Sequence, residues 1–228
     1  REKSPLTQAL IPGDYLVVAA LPDGRFHEVY RHVPRDLDML PRLYPHCLWT
    51  VTSENSIELH PVTILPQRDE PDMSSLADDA QSIQQNATAR KVSAFLLDKQ
   101  EVTIGEFIPK FNNELPPSLR HRSELLLSLD YPITGLFFDE AMTYAELSGK
   151  RLPTATEYEY AATNGWTTLF PWGDNEPPSE AWQLSKGYKA FDETPTNSPV
   201  FGLFSNASEF VYSGGPRLEN ETTARFLV

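Results

Sequence analysis

The chain has 228 residues, 40% of them hydrophobic, and carries 20 prolines against 11 glycines. Its 19 basic and 32 acidic side chains leave a net charge of −13, and no Lys/Arg cluster supplies the basic patch that nucleic acid or an acidic membrane surface requires. One cysteine, Cys47, excludes an internal disulfide, and no run reaches the ~18 apolar residues of a membrane helix.

The proline content predicts a loop-rich fold with short strands and few long helices. Residues 11–33 read as a β-hairpin. Tyr15 to Ala20 is strand-like, Pro22-Asp23-Gly24 is a turn, and Phe26 to Val33 alternates. That alternation places Phe26, Glu28, Tyr30 and His32 on one side, and His27, Val29, Arg31 and Val33 on the other. Further short strands are expected at Leu48 to Thr52 and Ile57 to Leu65. Residues 1–58 form a small all-β module on this reading. Residues 66–92 are polar and acidic, and are expected to be a long solvated loop.

From Ser93 a strand turns into a helix, with Thr103 as N-cap and Phe107, Ile108 and Phe111 on its face. Pro116 to Ser128 is a polar connection with a helical turn. A second helix starts at Asp139 as N-cap and stops at Gly149, a residue suited to the positive φ of a helix end. A third follows at once, because Thr154 and Glu157 make the T-x-x-E of a capping box. Asn164-Gly165 ends it. Phe170 to Asp174 form a tight aromatic turn around Trp172, an irregular stretch runs to Pro199, and residues 224–228 open another strand. Helices set among short strands point to an α+β fold.

Few residues carry obvious chemistry. His27, His32, His46, His60 and His121 form no H-x-H or H-x-x-x-H pair, so no zinc site is implied. Glu157 and Glu159 stand two apart on a helix and face different ways, so they are not paired catalytic carboxylates. Glu157 belongs to the cap, and Glu159 is expected to meet Arg151 or another buried cation. Cys47 is expected to be a small apolar core residue. Phosphate-loop, dinucleotide-binding and nucleophile-elbow motifs are absent from the sequence. Three sequons, at Asn86, Asn206 and Asn220, carry no argument.

Four segments in order give the sequence a family character: LDKQEVTIGEF (Leu97 to Phe107), FFDEAMTYAELSGKRLPTATEYEYAA (Phe137 to Ala162), FPWGD (Phe170 to Asp174) and FGLFSNASEFV (Phe201 to Val211). Together they resemble the formylglycine-generating enzyme, or sulfatase-modifying factor, family. Within them Arg151, Thr154, Glu157, Glu159 and Trp172 are the structural signature. The resemblance implies a C-type-lectin-like α+β fold over residues 59–228, incomplete at its C-terminal end. The front module resembles small PEGA-type β-sandwich repeats, an arrangement found in bacterial Ser/Thr kinase fusions.

The resemblance also implies chemistry. Family oxidases bind copper through a cysteine pair that follows a G-G-S-W segment. Here Cys47 is the single cysteine and matches neither. Tryptophans of the family pattern are replaced by Phe138, Leu147, Tyr158, Ser208 and Phe210, and the Asn after E-V-T by Ile104. Asn206, Ala207 and Glu209 occupy positions where family members coordinate calcium through oxygens. The expectation is a non-catalytic sensor region that binds a protein or a small-molecule ligand. It would be the extracytoplasmic part of a membrane-anchored bacterial protein, tethered through sequence outside this chain. The alternative is an oxidase whose cysteines, and with them copper, belong to a segment outside this chain.

Overall fold

The computed structural model describes residues 7–36, 44–52, 56–65, 73–76, 92–175, 199–204 and 206–212. Strands β1 (Gly13–Ala20) and β2 (Phe26–Val33) pair antiparallel in the register Gly13↔Val33 to Ala20↔Phe26. Gly24 takes φ 89° in the turn, and Asp23 accepts the Arg25 N–H at 3.1 Å. Opposed residues share a face of an antiparallel pair. The face holding His27, Val29, Arg31 and Val33 is buried throughout, each at 8% exposure or less. The other face leaves Leu16, Val18 and Phe26 exposed.

A 3-10 turn at Pro45–Cys47 buries Cys47, as expected of a small apolar residue. Strands β3 (Trp49–Val51) and β4 (Ile57–Leu59) then pair antiparallel. The strand expected through Leu65 stops at Leu59. His60 donates its N–H to Leu48 O at 3.2 Å, and Pro61 next to it has no N–H to continue the ladder. The loop expected over 66–92 also needs correction. Residues Met73–Leu76 form β5, paired antiparallel with β6 (Phe95–Asp98). A four-residue strand is too short to show periodicity in a polar context.

Helix α1 (Ile104–Phe107) is capped by Thr103, which accepts the Glu106 N–H at 3.2 Å while Glu106 accepts the Thr103 N–H at 2.9 Å. Pro109 follows, and the chain tightens into a 3-10 turn over Ile108–Phe111. The connection after Pro116 holds two such turns, Pro117–Leu119 and Ser123–Leu127.

Helix α2 (Phe138–Leu147) starts two residues before the expected start. Phe137, not Asp139, is its N-cap residue. Its side chain has no acceptor, so Glu140 three residues on does the capping, taking the Phe137 N–H at 2.8 Å. Glu140 is fully buried and also accepts the Ser118 N–H at 3.0 Å and the Ser118 hydroxyl. Asp139 is left in the first turn, where its carboxylate reaches His46.

The end of α2 is a Schellman motif. Lys150 N–H reaches Ala145 O at 2.8 Å, Gly149 N–H reaches Glu146 O at 3.0 Å, and Gly149 holds φ 75°. Helix α3 (Ala155–Ala162) ends the same way through Gly165 to Tyr160 O at 2.8 Å, with Asn164 at φ 49°.

The three two-stranded sheets and three short helices make an α+β fold of little regular structure among the described residues. Ala161, Val200 and Leu203 form a core with Leu97 and Tyr158 against it. Phe107, fully buried, stacks on Phe111 and Tyr144 at centroid distances of 4.6 and 5.1 Å. Burying one such ring contributes about 1.5–3 kcal/mol. No helix among the described residues is long and apolar enough to cross a membrane. The strand expected at 224–228 lies outside the described residues.

Candidate functional site

Arg151 is the hub of the signature segment. Its Nη1 and Nη2 donate to Glu157 at 2.8 and 2.7 Å, and its Nε donates to Glu28 at 2.6 Å. Arg151 is thus held by Glu157 and Glu28. Glu157 does two jobs, because its carboxylate also accepts the Thr154 N–H at 2.7 Å while Thr154 Oγ1 accepts the Glu157 N–H at 3.2 Å. A capping glutamate lies at the helix start, next to Arg151-Leu152-Pro153, so one carboxylate serves both. Burial pushes the Glu157 carboxyl upward, but hydrogen bonds from Arg151 and Thr154 outweigh it, and the net shift is downward. The hydrogen bonds to Glu157 raise the Arg151 pKa further above its already high value.

Glu28 lies on β2, so Arg151 ties the front hairpin to α3. Two more charge contacts tie the hairpin region to α2. Arg31, 1% exposed, grips Glu146 in a bidentate pair at 2.7 and 2.8 Å. Its remaining N–H groups donate to Tyr30 O at 2.8 Å, His60 O at 2.9 Å and Pro61 O at 3.4 Å. His46 Nε2 meets Asp139 Oδ1 at 2.9 Å. Burial pushes the His46 pKa down, yet hydrogen bonds with Asp139 and Cys47 outweigh it and raise the imidazole to about 9. His27, on the same buried face as Arg31, contacts Thr63 O at 3.1 Å and Lys150 O at 3.4 Å.

Aromatic residues complete the junction. Tyr30 stacks on Tyr212 at 3.7 Å, and Phe138 meets Phe210 at 5.7 Å and Tyr212 at 6.5 Å. Positions where the family pattern has tryptophan thus supply smaller rings to one packed cluster. Trp172 stacks on Phe170 at 5.1 Å and meets the edge of Phe204 at 4.7 Å. Phe170 and Gly173 exchange both backbone hydrogen bonds at 3.0 Å, which closes the aromatic turn.

Asn206, Ala207 and Glu209 lie on one turn, with Asn206 at φ 72°. Asn206 Nδ2 donates to both Glu101 oxygens at 3.0 and 3.2 Å, and Ala207 N–H donates to Glu101 at 3.3 Å. Glu209 Oε2 accepts the Tyr158 hydroxyl at 2.8 Å. Calcium takes 6–8 oxygen ligands. Here an amide NH2 and a backbone N–H face the carboxylate, the wrong polarity for a cation. Among the described residues no group of three or more His, Cys, Asp or Glu is placed to hold a metal. The set does not fit a calcium cage as arranged; it is a hydrogen-bonded turn.

Between the hairpin and the helices lies an open cavity of about 1230 Å³. Phe26, Glu28, Leu97, Tyr144, Leu152 and Tyr158 are among its lining residues. Arg151, Thr154, Glu157 and Glu209 line it too, so signature residues and turn residues converge on one space. Trp172 and Cys47 are not among its described lining residues.

Sequence reasoning did not single out Glu28, Arg31, Glu146, Glu101 or Tyr144 as site residues. The signal for Arg31 was its alternation with His27, Val29 and Val33, which put a cation on what became the buried face. The others left none, because their partners lie far away in sequence: 115 residues for Arg31 and Glu146, and 123 for Arg151 and Glu28.

Comparison with known proteins bears on the same segment. The sulfatase-modifying factor enzyme 1-like domain family matches residues 62–211. A formylglycine-generating enzyme of Mycobacterium tuberculosis is 40% identical over 58 residues, 23% of this chain and 19% of that protein. The inactive C-alpha-formylglycine-generating enzyme 2 of Bos taurus is 38% identical over 77 residues, 32% of this chain and 26% of that protein. The uncharacterized protein YfmG of Bacillus subtilis is 39% identical over 76 residues, 33% of this chain and 14% of that protein. The match therefore spans about a quarter or less of each relative's length.

Proposed function

The chain belongs to the sulfatase-modifying factor enzyme 1-like domain family, and from that premise we propose that it is a non-catalytic binding region of a larger bacterial protein. On this reading the domain senses a protein or a small-molecule ligand on the outer side of a membrane, with a PEGA-like front module and an attached Ser/Thr kinase as its architectural setting. The observation that carries the reading is the work done by the signature side chains. Arg151, Thr154 and Glu157 hydrogen-bond one another and Glu28 rather than facing a reacting group. They frame an open cavity that the front hairpin helps to wall. The single cysteine, Cys47, is buried outside the family-matched residues. Similarity to an inactive relative supports the same view.

The similarity to a relative named as a formylglycine-generating enzyme favours a second reading, an oxidase that draws its cysteine pair and copper from sequence beyond this chain. One experiment separates the two. The full-length protein is supplied with Cu(I), dioxygen and a sulfatase-derived peptide, and formylglycine is followed by mass spectrometry. The binding reading expects none. Turnover would overturn it and establish the oxidase.

A further inference from the structure

The cavity carries more information than its size. Its walls are apolar over Phe95, Leu97, Phe107, Ile133, Leu136 and Leu152. Among the hydroxyl groups of the lining are those of Tyr144, on α2, and of Ser148, the C-cap residue one helical turn further on. Ser148 is 9% exposed, and its Oγ has no hydrogen-bond partner of normal geometry. The Tyr144 hydroxyl lies beside it, on a ring fixed by its stack against Phe107. Much of the rest of the lining is polar or charged, and apolar walls with polar groups that fix orientation are a usual form of small-molecule site.

The charged groups around the cavity define the class of ligand. Its three basic lining residues are already held by carboxylates: Arg25 by Asp23 at 2.7 Å, Lys150 by Asp98 at 2.7 Å, and Arg151 by Glu28 and Glu157 at 2.6 and 2.7 Å. An anionic head would enter a wall with six acidic residues and no cation unclaimed by a carboxylate. A neutral head meets no such barrier. Burial raises the Tyr144 hydroxyl to about 12, against a smaller lowering by Ser148, so it stays protonated and can donate at neutral pH.

We propose that this cavity binds a neutral, mainly apolar small molecule whose single hydrogen-bonding head meets the Tyr144 hydroxyl and, through a change of rotamer, Ser148 Oγ. The inference rests on the binding reading above and names its ligand class. The cavity exceeds the ~300–1,000 Å³ common for such sites, so it admits ligands longer than the probes that test it.

The test is calorimetric titration of the full-length protein with three probes of one shape: 4-butylphenol, butylbenzene and 4-butylbenzoate. The expected result is saturable 1:1 binding of the phenol, at least tenfold tighter than the hydrocarbon, with the benzoate weakest. In the double variant Tyr144→Phe with Ser148→Ala, affinity for the phenol falls to that of butylbenzene, which itself is unchanged. The double variant removes both members of the Tyr144–Ser148 contact together and keeps the Phe107 stack, and an unchanged melting temperature verifies the fold. Absence of saturable phenol binding, a phenol affinity indifferent to the double variant, or tightest binding of the benzoate would each overturn the proposal. Those outcomes leave the non-catalytic reading standing, since only formylglycine production removes it.

Discussion

Arg31 supports the sharpest prediction. Its guanidinium, 1% exposed, uses all five N–H donors, two on Glu146 and three on backbone carbonyls. Arg31→Met keeps much of the apolar stem and removes every donor. The Glu146 carboxylate and the carbonyls of Tyr30, His60 and Pro61 then lose their partner together. Breaking a buried ion pair from one side costs about 3–5 kcal/mol. Glu146 keeps 16% side-chain exposure, so water recovers part of its loss and the expected cost is near the lower bound, about 3 kcal/mol. In a chain of this size each kcal/mol moves the melting temperature by about 2–4 °C, so a fall of roughly 6–12 °C is expected.

The assay is urea unfolding followed by far-ultraviolet circular dichroism and tryptophan fluorescence. Because Arg31 joins β2 to α2, the two signals should shift together, as one cooperative unit requires. Arg31→Met with Glu146→Leu, which removes both charges, should be less destabilised than Arg31→Met alone, giving a coupling of the sign expected for a buried pair. A loss below ~1 kcal/mol in Arg31→Met would refute the reasoning, because a buried and fully used guanidinium cannot be that cheap to remove.

Three further outcomes are expected. The His46 pKa, raised from 6.5 to about 9 in the folded chain, makes its contribution complete below pH ~6.5 and lost as pH rises through 9. Unfolding free energy should therefore fall by roughly 3 kcal/mol over that interval, and the slope should flatten in His46→Gln or Asp139→Asn. Gly202→Ala places a Cβ 2.8 Å from Glu101 Cδ at φ 78°, so it should cost about 1–3 kcal/mol in urea unfolding and loosen the Asn206 turn. Calcium at millimolar concentration should leave the melting temperature unchanged within about 1 °C, since linkage stabilises only a state that binds. A rise of several degrees that Glu209→Gln abolishes would show the turn rearranging around the ion.

The legible parts of the fold were the local ones. Thr103 with Glu106, and Thr154 with Glu157, sit three residues apart, so their hydrogen bonds can be read from spacing alone. Gly149 and Gly165 likewise end helices through contacts within five residues. The hairpin was legible because its turn and its alternation agree. Asp139 misled because it is a good capping residue next to a better solution: Glu140 caps from inside the helix, and the Asp139 carboxylate serves His46 instead. The same distinction applies to Arg151, whose near neighbour in sequence, Glu157, takes only part of its donors. Glu28, 123 residues away in sequence, holds the third donor that Glu157 leaves. No periodicity reports a partner at that distance. Strand β5 escaped for lack of length, and the cavity because it is lined by segments that lie far apart in the chain.

The Arg151 arrangement has a consequence for recognition. A guanidinium is the usual group for capturing carboxylate or phosphate ligands because its planar fork matches them. Here the fork faces Glu157, Nε faces Glu28, and Nη1 also reaches Leu152 O at 3.2 Å. An anion would have to displace two carboxylates from a site where burial makes an unpaired charge costly. The same holds at Lys150, already on Asp98. The signature's cations are thus used to join the hairpin, α3 and β6, and under the binding reading proposed above the cavity between these elements would select by shape and neutral hydrogen bonds. Binding of that kind would follow apolar contact area more than charge and should change little with ionic strength, whereas capture by a free Arg cluster would weaken as salt screens it.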